Sequence, residues 1–141
     1  MVTRCESCGQ SLPLCQVRKW RLYNSATFPI RTESELNKHD GWRCRARRSS
    51  ATKGTIKLIL RTSGLGYVPG LATKIVLTRI APCALDVDNL HSALKASRDA
   101  VAEWFGFESD RESEALAWEC LQEKGGVRQY GVRVEVFVGD D

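Results

Sequence analysis

The alternation of apolar and polar positions divides the chain into strand-like and helix-like stretches. Between Gln16 and Ile30, the residues Val17, Trp20, Leu22, Tyr23, Phe28 and Ile30 predict a strand or a bent pair of strands. Asn24-Ser25 supplies a turn or bulge there, and Pro29 favours a sheet edge. Ser34 or Asn37 can cap a helix that enters through Trp42 and continues past Arg48, with Gly41 weakening its middle. Residues 55–62 (TIKLILRT) read as a strand with a nearly continuous apolar run. The Gly/Pro-rich stretch 63–70 reads as a hairpin connection, and 73–80 (TKIVLTRI) as the returning strand, which Pro82 ends. The glycines of that connection match neither GxGxxG nor GxxxxGK, so they form no phosphate loop.

From Asp86 to about Phe105 the spacing predicts an amphipathic helix. At about 100° per residue, Asp88, His91, Lys95 and Asp99 share one sector, while Leu90, Leu94, Val101, Trp104 and Phe105 lie opposite. Gly106 closes this helix into an acidic loop holding Glu108, Asp110 and Glu112. Residues 115–123 and 127–138 are strand candidates joined by Lys124-Gly125-Gly126, a hairpin signal. Val132, Val134, Val136 and Val138 alternate with Arg133 and Glu135, as in a half-buried antiparallel strand. The predicted order is β–α–β–β–α–β–β: an α+β domain over residues 17–141, with two helices on one face of a mixed sheet. Residues 1–16 show no periodicity, Pro13 interrupts them, and they read as an appendage.

Composition narrows the class. With 43% hydrophobic and 27% charged residues in 141, the chain can bury a core, and disorder is excluded as its general state. No apolar run approaches the roughly 20 residues of a membrane span, and no signal-peptide core is present, so a cytoplasmic protein without a membrane partner is expected. The net charge of +4 is unevenly placed: Arg43, Arg45, Arg47, Arg48, Lys53 and Lys57 lie in an almost acid-free segment, and the carboxylates concentrate beyond residue 85. A basic region facing an acidic pocket suits a polyanion handled with a metal ion. Of the six cysteines, Cys5 and Cys8 form a CxxCG that resembles half a zinc knuckle, which Cys15, His39 or Cys44 could complete; an unmetallated N-terminus is the alternative. Cys83 and Cys120 read as small core residues.

The chemistry centres on Asp86-Val87-Asp88-Asn89. Hard cations such as Mg²⁺ need only one or two carboxylates plus water and substrate phosphate. Asp86 and Asp88 supply these at a strand-to-helix junction, and an acid of the following loop can join them. Lys95 could pair with a phosphate, oriented by Asp99 four residues on. Asn89 either satisfies the helix start or bonds a carboxylate. The plainer readings stand beside these: both aspartates as helix caps, His91 as a solvent-facing residue, the arginine run as a solvated face. Against the last, Trp42 precedes the arginines directly, and cations beside an aromatic suit both phosphates and unstacked bases. Trp42, Arg43, Arg45, Arg47, Arg48 and Lys53 are therefore the candidate nucleic-acid contacts.

Asp86-Val-Asp88-Asn89, then Leu94-Lys95-Ala96, Asp99-Ala100 and acids beyond Gly106, resembles the RusA family of Holliday junction resolvases. Ser34-Glu-Leu-Asn37, Trp42-Arg43 and Trp118…Gln122-Glu123-Lys124-Gly125 extend the likeness to phage-type members, over about residues 28–138. The resemblance implies a RusA-like fold and a small homodimeric, Mg²⁺-dependent endonuclease that cuts branched DNA such as four-way junctions. Its site would comprise Asp86, Asp88, Lys95 and one loop carboxylate, assigned to Asp110 over Glu108 and Glu112, with the three aspartates as metal ligands. Two departures are visible. Lys95 stands six residues after Asn89 where the family's gap is three, a displacement of about 4–5 Å along the helix, and the loop acids are not a clean pair. The competing class is a RusA-like protein that grips branched DNA without cutting. Paired cuts need two chains, and strands 56–60 and 75–80 and the C-terminal valine strand are the expected pairing edges.

Overall fold

The computed structural model describes residues 19–32, 34, 41–66, 72–107 and 116–140. Six elements follow one another: β1 (Lys19–Phe28), α1 (Trp42–Ser63), β2 (Thr73–Ala81), α2 (Val87–Trp104), β3 (Leu116–Lys124) and β4 (Gly131–Asp140). The strands make one mixed sheet in the order β1-β4-β2-β3. β4 runs antiparallel to both of its neighbours, and β2 and β3 run parallel with α2 as their crossover. The α+β class with two helices and a mixed sheet is as the sequence predicts.

Residues 55–62 are not a strand; they are the second half of α1. Ile56 and Leu60, four apart, are fully buried, whereas Leu58 between them is 62% exposed, which is a helical rather than an alternating pattern. The hydroxyls of this half bond back into the helix: Thr55 to the Ala51 carbonyl at 3.1 Å, Thr62 to that of Ile59 at 3.1 Å and Ser63 to that of Leu60 at 3.0 Å. Gly64 ends the helix in the left-handed conformation at φ 71°. Neither expected cap serves α1. Gly41 occupies the N-cap without a side-chain bond, Ser34 bonds Asn89 instead, and Asn37 lies outside the described residues.

The predicted hairpin at Lys124-Gly125-Gly126 is also corrected, since β2 lies between β3 and β4. The connection crosses the end of β2, where the Gly125 amide donates to the Ala81 carbonyl at 2.9 Å. A Cβ on Gly125 would stand 3.0 Å from the Gln129 carbonyl oxygen and 3.1 Å from Ile80, so the glycine permits the close crossing. In β1 the expected irregularity near Asn24 is present as a register shift between Leu22 and Asn24, and β1 is an edge strand, as Pro29 suggested.

One sheet face carries Phe28, Ile75, Leu77, Val132, Val134, Val136 and Trp118, and both helices pack on it through Ile56, Leu60, Leu90, Leu94 and Val101. The other face is polar at its centre. Arg133 binds Glu123 at 2.6 Å, Lys74 binds Glu119 at 3.6 Å, and Lys74 also lies over the rings of Trp20 and Phe137. The expected pairing edges are overturned: 56–60 is helical, β2 and β4 are interior strands, and the alternating valines of β4 are buried. Among the described strands the edges are β1 and β3. Trp104 departs from the apolar face of α2, being 39% exposed with its indole N–H on the Leu65 carbonyl at 3.2 Å. Cys83 is exposed rather than a core residue; Cys120 is half-buried, and burial raises its thiol pKa. No described helix is long and apolar enough to cross a membrane.

Candidate functional site

Asp86 closes the loop after β2 and caps α2. Its extended backbone (φ −69°, ψ 171°) aims the side chain back at the first turn, where Oδ1 accepts from the Asn89 amide at 2.9 Å and from Asn89 Nδ2 at 2.8 Å. Asn89 Oδ1 in turn accepts from the Ser34 hydroxyl. Of the two roles open to Asn89, the bond to a carboxylate is the one present: its Nδ2 donates to Asp86, and Asp86 is the residue that caps the helix start. The backbone bond from Asn89, followed by its side-chain bond, holds Asp86 below the usual carboxylate pKa, so it is an anion near neutrality. Asp88 stands exposed in the first turn.

Along α2, Ser92 and Lys95 fall within about 40° of Asp88 around the axis. Both line a groove of about 610 Å³ between the two helices, with Arg45, Arg48, Ser49 and Thr52 of α1 on the opposite wall and Arg31 and Thr32 at one end. Alanines 46, 51, 93 and 96 are its apolar lining. Among the described residues four cations and no carboxylate line it, which makes the groove electropositive, and Asp88 sits one helical turn before Ser92.

The predicted residues separate into three groups. Arg45, Arg48 and Lys95 come together in the groove. Trp42, Arg43 and Arg47 are exposed outside it, with the Arg43 guanidinium 5.4 Å from the Trp42 ring centre. Lys53 is engaged with Asp99 at 3.7 Å, which also holds Lys95 at 3.1 Å, and Lys57 reaches Glu103 at 3.0 Å, lowering the Glu103 pKa. These pairs tie α1 to α2. The expected i,i+4 partnership of Asp99 with Lys95 is present, and it draws the ammonium toward the C-terminal side, away from Asp88. Asp110, Glu108 and Glu112 lie outside the described residues, as do Cys5, Cys8, Cys15 and His39.

Arg31, Thr32 and Ser92 complete the groove and were not singled out by the sequence. The first two follow β1 directly, and Ser92 shares the Asp88 sector, which was the signal available for it. Among the described residues no three His, Cys, Asp or Glu side chains gather as a metal-binding group. Asp86 and Asp88, two residues apart at the start of α2, are the described carboxylates that could contribute to a hard-cation site completed by water and a phosphate oxygen. No protein-family model matches the chain, and no curated protein matches it.

Proposed function

We propose that the protein is a Mg²⁺-dependent, structure-selective endodeoxyribonuclease acting on branched DNA such as four-way junctions, as a homodimer with RusA-like character. The observation that supports this reading is the junction of two parts: the Asp86-x-Asp88 sequence at the start of α2, with Asp86 held by Asn89, and a cationic groove beside it. In this reading Arg45, Arg48 and Arg31 neutralise backbone phosphates, and the small alanine side chains of the lining leave room for the sugar-phosphate chain. Asn89 restrains Asp86 through Oδ1, and Oδ2 would be the oxygen offered to a cation. Mg²⁺ held by Asp86 and Asp88, with Asp110 proposed as the third acid, would supply Lewis-acid polarisation and an activated water. Trp42 and Arg43 together offer a stacking surface at the outer end of α1.

A second reading, branched-DNA binding without cleavage, is favoured by one observation: Lys95 is held by Asp99, roughly 10 Å along the helix from Asp88. Incubation with a synthetic four-way junction separates the two. The nuclease reading expects Mg²⁺-dependent cleavage that Asp88→Asn reduces by about 10²-fold or more while binding is retained. Binding without cleavage in both Mg²⁺ and Mn²⁺ establishes the second reading instead.

A further inference from the structure

Among the described strands, β3 is bonded on one side only, by β2. The two sheet edges differ in what they offer another strand. β1 carries a register shift between Leu22 and Asn24, and such an irregularity twists an edge away from pairing. β3 follows β2 from Leu116 to Lys124 without a break, so it presents nine residues of even backbone. Leu116, Trp118 and Cys120 face the helices, and Gln122 follows them in parity. Ala117, Glu119, Leu121 and Glu123 lie on the opposite face, where Leu121 is 44% exposed. The two acids are held within their own chain, Glu119 by Lys74 at 3.6 Å and Glu123 by Arg133 at 2.6 Å. Their charge is thus partly offset before any partner arrives.

We propose that β3 pairs antiparallel with β3 of a second copy of this chain, about a two-fold axis that passes beside Cys120. Directly opposed residues of an antiparallel pair share a face, so an axis perpendicular to the sheet sets one residue opposite its own copy. Charge selects which one. Centred on Glu119, the pairing opposes Glu119 to itself; centred on Leu121, it opposes Glu119 to Glu123. Like charges directly opposite one another are destabilising. Centred on Cys120, it opposes Glu119 to Leu121, Glu123 to Ala117 and Lys124 to Leu116, and it engages the whole strand. Centring on Trp118 or Gln122 also separates the acids but pairs the strand over only part of its length. The two four-stranded sheets then merge into one, with both helix layers on the same side. Both grooves between α1 and α2 therefore lie on one face of the dimer. The pairing of β3 stands without the nuclease reading; its use for paired cuts in one DNA molecule rests on that reading.

Sedimentation velocity of the full chain at micromolar concentration tests the surface, and substitution of the exposed Leu121 tests the register. Leu121→Glu sets a new carboxylate against Glu119 twice over, once on each side of the axis, and should weaken the dimer by about tenfold. Leu121→Lys meets the same Glu119 with the opposite charge and should retain the dimer. A monomeric wild type, or equal effects of the two substitutions, overturns the proposal. Cross-linking supplies a measurement that needs no change in β3. With the other cysteines replaced by Ser, a short bis-maleimide should join Cys120 to its copy. With Cys120 also replaced, Ala117→Cys alone should not cross-link, whereas a mixture of the Ala117→Cys and Glu123→Cys chains should. Any other pattern of cross-links rejects this register. A dimer that Leu121→Glu weakens, in a protein that leaves four-way junctions uncut, retains the pairing and removes the nuclease. Cleavage by a protein whose dimer ignores Leu121→Glu does the reverse.

Discussion

Helix α2 begins on an aspartate cap, carries Asp88 in its first turn and buries seven residues; α1 begins on Gly41 without a side-chain cap, has no acid in its first turn and buries only Ile56 and Leu60. The contrast is electrostatic as well. Acids at the start of α2 complement the positive end of its dipole, whereas Arg43 and Arg45 sit at the same end of α1, where each cation costs about 0.3–1 kcal/mol. The first half of α1 is thus built against its own stability, held in place by the second half and by ion pairs to α2. Helix α2 is the more deeply anchored of the two, and under the proposed function it positions the site while α1 carries charge toward a polyanion.

The largest test of that division is a pair of leucines. Leu94→Ala in α2, where the side chain is fully buried, should destabilise by about 2–5 kcal/mol, while Leu58→Ala on the exposed side of α1 should change stability by less than about 0.5 kcal/mol, both read from urea unfolding. Equal losses would erase the distinction between scaffold and carrier. The charge side is tested next. Replacing Arg45 and Arg48 together with Ala should weaken junction binding irrespective of sequence and flatten its salt dependence by roughly two units, leaving the fold intact; an unchanged slope takes the groove out of the interface.

Gly54 sharpens the comparison at smaller scale. It is an exposed position inside α1 with open space around its Cβ, so Gly54→Ala should stabilise by about 0.5–1 kcal/mol. A loss of stability there would show that α1 needs flexibility mid-helix. The smallest effect concerns pH. The two bonds from Asn89 hold Asp86 below its ordinary value of 3.8, so this stabilisation is complete above that pH and is lost as pH falls through the lowered native value. Asp86→Asn should therefore show a shallower acid limb than the wild type below about pH 4 in urea midpoints; superimposable limbs would deny the cap its charge.

The fate of particular residues shows what sequence makes legible. Asp86, Leu90, Leu94, Val101 and Gly106 announced α2 because cap, period and stop agree at every level. Residues 55–62 misled because Thr and Ile favour strands locally; the four-residue spacing of Ile56 and Leu60, which decides the outcome, is shorter than a reliable periodicity window. The glycines at 125 and 126 mark a reversal, but no local signal tells that a third strand lies inside it. Arg79 was visible as a charge within TKIVLTRI at the parity of Ile75 and Leu77, yet its buried side chain bonds Thr32, 47 positions before it. Such convergence belongs to the fold.

The interior place of β4 has a consequence for how the molecule is made. Among the described residues β1 meets the sheet only through β4, with Lys19 opposite Asp140, and β4 is the last of the described strands in chain order. During synthesis, the β2–α2–β3 unit can assemble early, but β1 must wait unpaired until the final strand emerges. Completion then requires β4 to slide between two strands already present, a long-range closure expected to slow folding. A nascent chain stalled before Gly131 would hold two open edges, on β1 and β2, ready to capture any extended strand nearby.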